Sequence, residues 1–315
     1  MMAASNITAS GTQTKTFGEW QCSPVWVGEL KQQSILFSAV NILLSITATL
    51  GNSLILVALH QESRLHPPSK LLYRCLAATD LFVGLATQPL YATYWMSVVH
   101  EHWSLCRYSF DASSVTGYAF CSVSLSTLTV ISMDRLLALL LGLRYKEIVT
   151  LRCTFIILAI VWVVCLVTSL FRHLSYRVAL WCSPIGILCC LVISIASYTK
   201  IFRALSHHQV QVQDHAQQQP SLPNALNIAR YRKAVHCALW VHLALVFCYV
   251  PFFIVETVIT FSKERFPNFV IIKGMVNVIV LFNSTLNPFL FCWKISEVRR
   301  AVKQTIRQTI CYAEG

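Results

Sequence analysis

Long apolar stretches recur seven times along the chain, near residues 35–59, 71–99, 113–139, 153–171, 178–204, 235–261 and 269–293. Each is long enough to cross roughly 30 Å of hydrocarbon as an α-helix, and each exceeds the roughly 10 to 14 residues of a helix buried in a soluble core. Continuous runs such as CTFIILAIVWVVCLVTSL, residues 153–170, lack the alternation of a membrane β-strand. Lipid offers backbone N–H and C=O groups no partner, so each segment must close its own hydrogen bonds as a helix. With 56% hydrophobic and 12% charged residues, the chain is too apolar for a soluble globular protein of 315 residues. The expected fold is an all-α membrane protein, a seven-transmembrane-helix bundle.

Basic residues are unevenly divided among the connections. With the amino terminus outside, 17 of the 25 lysines and arginines fall on the inner side and the other eight on the outer, the asymmetry of a membrane protein oriented by positive charge. The net charge of +12 is then explained by topology and anionic inner-leaflet lipid, with no nucleic-acid partner. The chain divides into an extracellular tail at 1–33, a transmembrane domain at 34–293 with a flexible third inner loop at about 205–229, and a cytoplasmic helix and tail at 294–315. The tail has no signal-peptide pattern, so the first helix is expected to direct insertion into the plasma membrane. Asn6-Ile7-Thr8 is a glycosylation acceptor on the outer side; Asn283-Ser284-Thr285 has the same pattern but lies within a helix. After Pro288, apolar residues at 295, 298, 302, 306 and 310 alternate with bases at helical spacing, predicting an amphipathic helix on the inner surface with Cys311 as a palmitate candidate.

A charge in or beside hydrocarbon is costly and is kept for a reason. The apolar runs carry Gly51-Asn52 in the first, Asp80 within LAATDL in the second, Asp134-Arg135 at the end of the third, Trp162 in the fourth, Tyr198 in the fifth, CYVP at 248–251 in the sixth and Asn287-Pro288 within STLNPFLF in the seventh. In this order and at these depths they resemble the rhodopsin-like G-protein-coupled receptors, over roughly residues 35 to 310. The pattern is similar to the group of melanocortin, adenosine, lipid and amine receptors.

The resemblance implies a receptor that passes an extracellular ligand signal to a heterotrimeric G protein, with arrestin, receptor kinase and membrane lipid as further partners and no enzymatic activity. Arg135 resembles the arginine held by its neighbouring acid, here Asp134, until the inner helix ends part. Tyr198, Tyr249, Pro251, Asn287, Pro288 and Phe291 match the other switch positions. Proline removes a backbone hydrogen bond, so Pro251 and Pro288 are expected to kink their helices. Asp80 with Asn52, Ser124, Asn283, Ser284 and Asn287 matches the set that surrounds a sodium ion in the family, and oxygen ligands suit such a hard cation; a hydrogen-bonded aspartate with packing value alone is the other reading.

Tyr249, Phe252, Phe253 and Glu256 are spaced to share one face of the sixth helix. Together with Gly117, Tyr118, Cys121 and Asn277 they form the expected ligand pocket. Gly117 replaces the third-helix aspartate that holds monoamines in amine receptors, and Leu281 replaces the lysine that would bind retinal. The remaining outer acids, Asp111 and Glu256, suggest a basic small molecule or peptide; hydration of Glu256, or pairing with Lys273, accounts for that acid as well. A chemosensory receptor of the same fold and a membrane transporter are the competing readings. A transporter requires more intramembrane charge along its path than Asp80 and the boundary pair supply.

Several residues depart from the family pattern. Leu136 and Phe291 stand in place of tyrosines, Tyr249 in place of a tryptophan and Cys190 in place of the fifth-helix proline, and no acid lies near Tyr231. Cys106 sits 28 residues before Asp134, about one turn farther than the family's disulfide cysteine, and the connection RHLSYR at 172–177 holds no cysteine. Cys22, Cys106 and Cys182 all fall where oxidation is possible, and the pairing implied by the resemblance is Cys106 with Cys182.

Overall fold

The computed structural model describes residues 21–22, 27–61, 65–174, 176–216, 243–258, 267–294 and 296–313. Each of the seven expected segments is helical over its described residues. They are α1 (Val27–Gln61), α2 and α3 (Pro67–Phe82 and Gln88–Val99, joined by a π-turn at Val83–Thr87), α4 (Trp103–Leu141), α6 (Leu151–Leu174), α7 (Tyr176–Ala216), α8 (Leu243–Val258) and α9 (Pro267–Lys294). A short turn of helix, α5 (Tyr145–Ile148), connects α4 to α6, and α10 (Ser296–Ala313) follows α9. Apart from α8, each crossing extends beyond its apolar run at one end or both. The largest difference is at α7, which continues to Ala216, so QVQVQDHA is helical rather than part of the loop expected from about 205; Tyr231 lies outside the described residues.

The π-turn has a local cause. Pro89 has no N–H for the Leu85 carbonyl, and the chain widens so that the Gln88 amide bonds the Val83 carbonyl instead. At the other end of the crossing, Pro67 and Pro68 open α2, where a missing N–H costs nothing. The α4 helix ends at Gly142, whose φ of 52° is one that a glycine adopts freely.

Small residues set the helix spacing. A Cβ at Gly84 would lie 2.8 Å from Thr49 Oγ1, one at Gly51 3.0 Å from Pro288 Cγ, and one at Gly274 2.8 Å from both Phe37 and Trp95. Thus α1 is seated against α2, α3 and α9, and Ser38 and Ser45 of α1 donate across the contact to the carbonyls of Ala92 (3.1 Å) and Gly84 (2.7 Å). The core runs through Ile55, Leu76, Leu125, Leu128, Leu245, Phe252 and Val280. By contrast, Phe155, Ile160, Val163 and Val164 of α6 are exposed on the outside of the bundle, the face that lipid covers. On α10, Val298, Ala301 and Val302 are buried, and Thr305 donates to Gln61 of α1 at 3.3 Å, while Ile306 remains exposed.

Candidate functional site

At the end of the bundle where α4 terminates, Asp134 is buried and Arg135 is one-third exposed. Arg135 donates to Asp134 Oδ2 through Nη2 at 2.5 Å and Nε at 3.1 Å. The acid has two further donors. Ser69 Oγ of α2 reaches Oδ2 at 3.2 Å and the Tyr145 hydroxyl of α5 reaches Oδ1 at 2.5 Å, while Arg135 Nη2 also donates to Ser69 Oγ. The ring of Tyr145 rests 5.2 Å from that of His66. Burial, and next the bond to Asp134, raise the Tyr145 hydroxyl above its ordinary pKa, which keeps it a donor. The pair is therefore a latch joining three elements, α2, α4 and α5. Ser69 and Tyr145 carry no sequence signal of this role, because one depends on how α2 packs against α4 and the other on how the α4–α6 connection folds back.

Beside the latch, Tyr198 is buried and packs with Ile201 against Leu136 and Leu139. Leu136 thus replaces a polar switch residue by an apolar contact with α7. Phe291 is likewise buried, edge-on to Tyr73 with ring centroids 5.2 Å apart.

Midway along the bundle, Asp80 is fully buried. Ser124 Oγ donates to its Oδ1 at 3.0 Å and Asn287 Nδ2 to its Oδ2 at 2.6 Å, so α2, α4 and α9 meet on one carboxylate. Asn52 bridges the Ala48 carbonyl at 2.8 Å and the Ser284 carbonyl at 3.0 Å. Its Oδ1, also buried, accepts no hydrogen bond. This set offers a carboxylate, hydroxyls and a spare amide oxygen in one cluster, a donor set that fits a small hard cation. Trp162 Nε1 donates to Cys75 Sγ at 3.3 Å, binding α6 to α2 at a similar level.

Toward the end where α1 begins, the expected pocket residues meet in layers. The Tyr249 hydroxyl donates to the Cys121 carbonyl at 3.3 Å, and Phe252 faces Tyr118 with centroids 6.1 Å apart. Gly117 abuts Thr87 and Tyr91, and Asn277 Nδ2 donates to the Tyr91 hydroxyl at 2.9 Å. Thr87 and Tyr91 were not legible from their spacing, because the π-turn resets the helical phase of α3. Phe253 is only half-buried, beside this face of α8, and Pro251 lies inside that helix. Glu256 pairs with Lys273 at 3.2 Å.

One expected pairing is corrected. Cys106 is bonded to Cys22, with Cα atoms 5.9 Å apart, and both sulfurs lie in an apolar cluster with Leu30, Tyr94, Trp95 and Val98. Since a sulfur forms one disulfide, Cys182 is not the partner of Cys106. The early start of α4 places Cys106 beside the segment leading into α1, a proximity that neither residue's spacing reveals. The side chains of Cys182 and Cys311, in α7 and α10, and the whole of Asn6 lie outside the described set.

Among known families, the model of the 7 transmembrane receptor (rhodopsin family) fits residues 51–179 and 171–291.

Proposed function

The chain belongs to the rhodopsin-like seven-transmembrane receptors, and from that premise we propose that the Asp134-centred latch is its coupling switch. As a member of that family it is a multi-pass membrane protein with G-protein-coupled receptor activity, responding to an extracellular ligand, and it is not an enzyme. The observation that carries the proposal is the convergence of Arg135, Ser69 and Tyr145 on one buried carboxylate. A charge-assisted pair shared by three elements has two discrete arrangements, closed and released, and a ligand that favours the released one shifts the population toward it.

In this reading the protein sits in the plasma membrane with its amino terminus outside, which follows the distribution of lysine and arginine. The Tyr118, Phe252, Asn277 and Glu256 layers then face the extracellular ligand, and the latch faces the G protein. Glu256 supplies an anchor for a basic group on that ligand. Asp80, Ser124, Asn283, Ser284 and Asn287, with Asn52, would hold a sodium ion, which supplies a positive charge opposite the buried carboxylate and favours the closed bundle. Tyr198, Tyr249, Pro251, Asn287, Pro288 and Phe291 line the route between the two ends. The same reading groups the chain with the melanocortin, adenosine, lipid and amine receptors, with arrestin and a receptor kinase as further partners, glycan at Asn6 and palmitate at Cys311.

The test is G-protein activation by cells expressing the intact chain or Arg135→Ala, first without ligand and then with peptides, nucleosides, lipids and amines. A response that requires Arg135 supports the switch; an equal response from Arg135→Ala at matched surface expression rejects it.

A further inference from the structure

The connection between α3 and α4, HEHW at 100–103, turns on one unusual backbone conformation. Glu101 has a φ of 59°, and among the described residues it is the one non-glycine with positive φ. A side chain there crowds the following carbonyl, at a cost of about 1 to 2 kcal/mol. The turn holds the residue in place. The His102 N–H donates to the Ser97 carbonyl at 2.9 Å and the Glu101 N–H to the Val98 carbonyl at 3.3 Å, the two bonds that close a helix end around a left-handed residue. His102 then opens α4, its carbonyl accepting from the Cys106 N–H at 2.9 Å. Trp103 packs on the cluster of Cys22, Tyr94, Trp95 and Cys106, and the disulfide ties Cys106 to Cys22. The backbone is thus fixed on both sides of Glu101.

That turn brings the flanking side chains together. The rings of His100 and His102 lie with centroids 6.3 Å apart and planes 26° from parallel, and both residues are exposed. Packing does not account for the pair, since both rings stand at the surface and glycine would fit the left-handed position more cheaply. Two adjacent imidazoles offer nitrogen lone pairs, a donor type suited to zinc, copper and nickel, whereas calcium and magnesium take oxygen. Two histidine nitrogens at about 2.0–2.1 Å from one tetrahedral zinc leave the ring centres roughly 5 Å apart, so from 6.3 Å the rings have to close by about 1 Å. Rotation about χ1 and χ2 of two exposed side chains supplies that movement. Among the described residues, no group of three or more histidine, cysteine, aspartate and glutamate side chains is placed to hold a metal. The ion therefore takes two protein ligands, water fills its other positions, and it exchanges freely, unlike the four-ligand ion of a structural site.

We propose that His100 and His102 form a binding site for a divalent transition-metal ion of the zinc class, which clips the end of α3 to the start of α4. The site lies at the opposite end of α4 from Asp134, so it stands or falls independently of the coupling switch.

The test adds zinc chloride to the purified full-length receptor, counts bound ions by equilibrium dialysis and follows the thermal midpoint. The comparison is with the double variant His100→Ala with His102→Ala, in which the remaining histidines and thiols bind zinc as they do in the intact chain. With free zinc raised to about 0.1 mM, the intact receptor is expected to bind one ion more than the double variant and to gain more in thermal midpoint, because an ion held only by the folded state stabilises it. Each single variant should weaken that ion at least tenfold, and calcium should not replace it. Both rings are exposed, so equal thermal midpoints without zinc show that the variants fold alike. Glu101→Gly keeps the turn and both rings and should keep the ion. Glu101→Val keeps both rings but disfavours positive φ, and should bind the ion several-fold more weakly. Equal numbers of bound zinc ions in the intact receptor and the double variant overturn the proposal. Loss of the ion in Glu101→Gly also overturns it, since the carboxylate and not the imidazole pair would then be the deciding ligand.

Discussion

Tyr145→Phe removes one hydroxyl and leaves the ring, so it isolates a single bond of the latch. In the closed arrangement that hydroxyl donates to Asp134 Oδ1 at 2.5 Å, while the ring keeps its place 5.2 Å from His66. A hydrogen bond to a charged group contributes about 1.5 to 3 kcal/mol. Asp134 retains Ser69 and Arg135 as donors, and Arg135 is partly exposed to water, so the lower end of that range applies. If release of the latch breaks the bond, the substitution weakens the closed state by about 1.5 kcal/mol, close to a tenfold rise in the ratio of released to closed receptor. The assay is ligand-independent G-protein turnover per receptor at the cell surface, compared between the intact chain and Tyr145→Phe. A rise of several-fold to tenfold is expected. Unchanged or lower turnover at equal surface expression refutes the claim that Tyr145 restrains the switch.

Three further outcomes follow from the geometry. Gly274→Ala forces a Cβ to within 2.8 Å of Phe37 and Trp95, an overpacking that should cost about 1 to 3 kcal/mol and lower the thermal midpoint of the purified receptor. Cys22→Ser and Cys106→Ser should each destabilise the fold by about 2 to 5 kcal/mol, whereas Cys182→Ser should leave a peptide linked through Cys22 and Cys106 in a non-reduced digest. Replacing sodium by a bulky organic cation should lower the thermal midpoint of the intact receptor, and Asp80→Asn should abolish that difference; a sodium effect that survives Asp80→Asn excludes the cluster of Asp80 and Ser124 as its source.

The sequence exposed those parts of the fold that depend on local composition. Apolar length marked all seven crossings, and the polar residues within them, above all Asp80, Ser124 and Asn287, proved to meet on one carboxylate. The resemblance also picked out Asp134 and Arg135, which the structure joins at 2.5 Å. What escaped detection depends on three-dimensional path. The π-turn before Pro89 shifts the phase of α3 and brings Tyr91 to Asn277, a change that periodicity over the whole crossing averages away. Tyr145 reaches Asp134 because α5 folds back beside the end of α4, and Ser69 because α2 packs against it. The disulfide is of the same kind: Cys22 is 84 residues from Cys106 in sequence, and only the packing of Cys22 against α3 and α4 brings them together. The glycines tell a similar story, since Gly51 reads as half of a motif but acts by admitting Pro288.

The most direct test of the latch compares basal G-protein turnover by purified receptor for the intact chain, Asp134→Asn, Arg135→Ala and the double variant. Asp134 accepts from Arg135, Ser69 and Tyr145; in the proposed switch it holds the arginine closed, so Asp134→Asn should raise turnover and Arg135→Ala should abolish it. The double variant should match Arg135→Ala, because the acid acts only through the base. A double variant as active as Asp134→Asn would contradict the account, since coupling would then proceed without the arginine that the latch restrains.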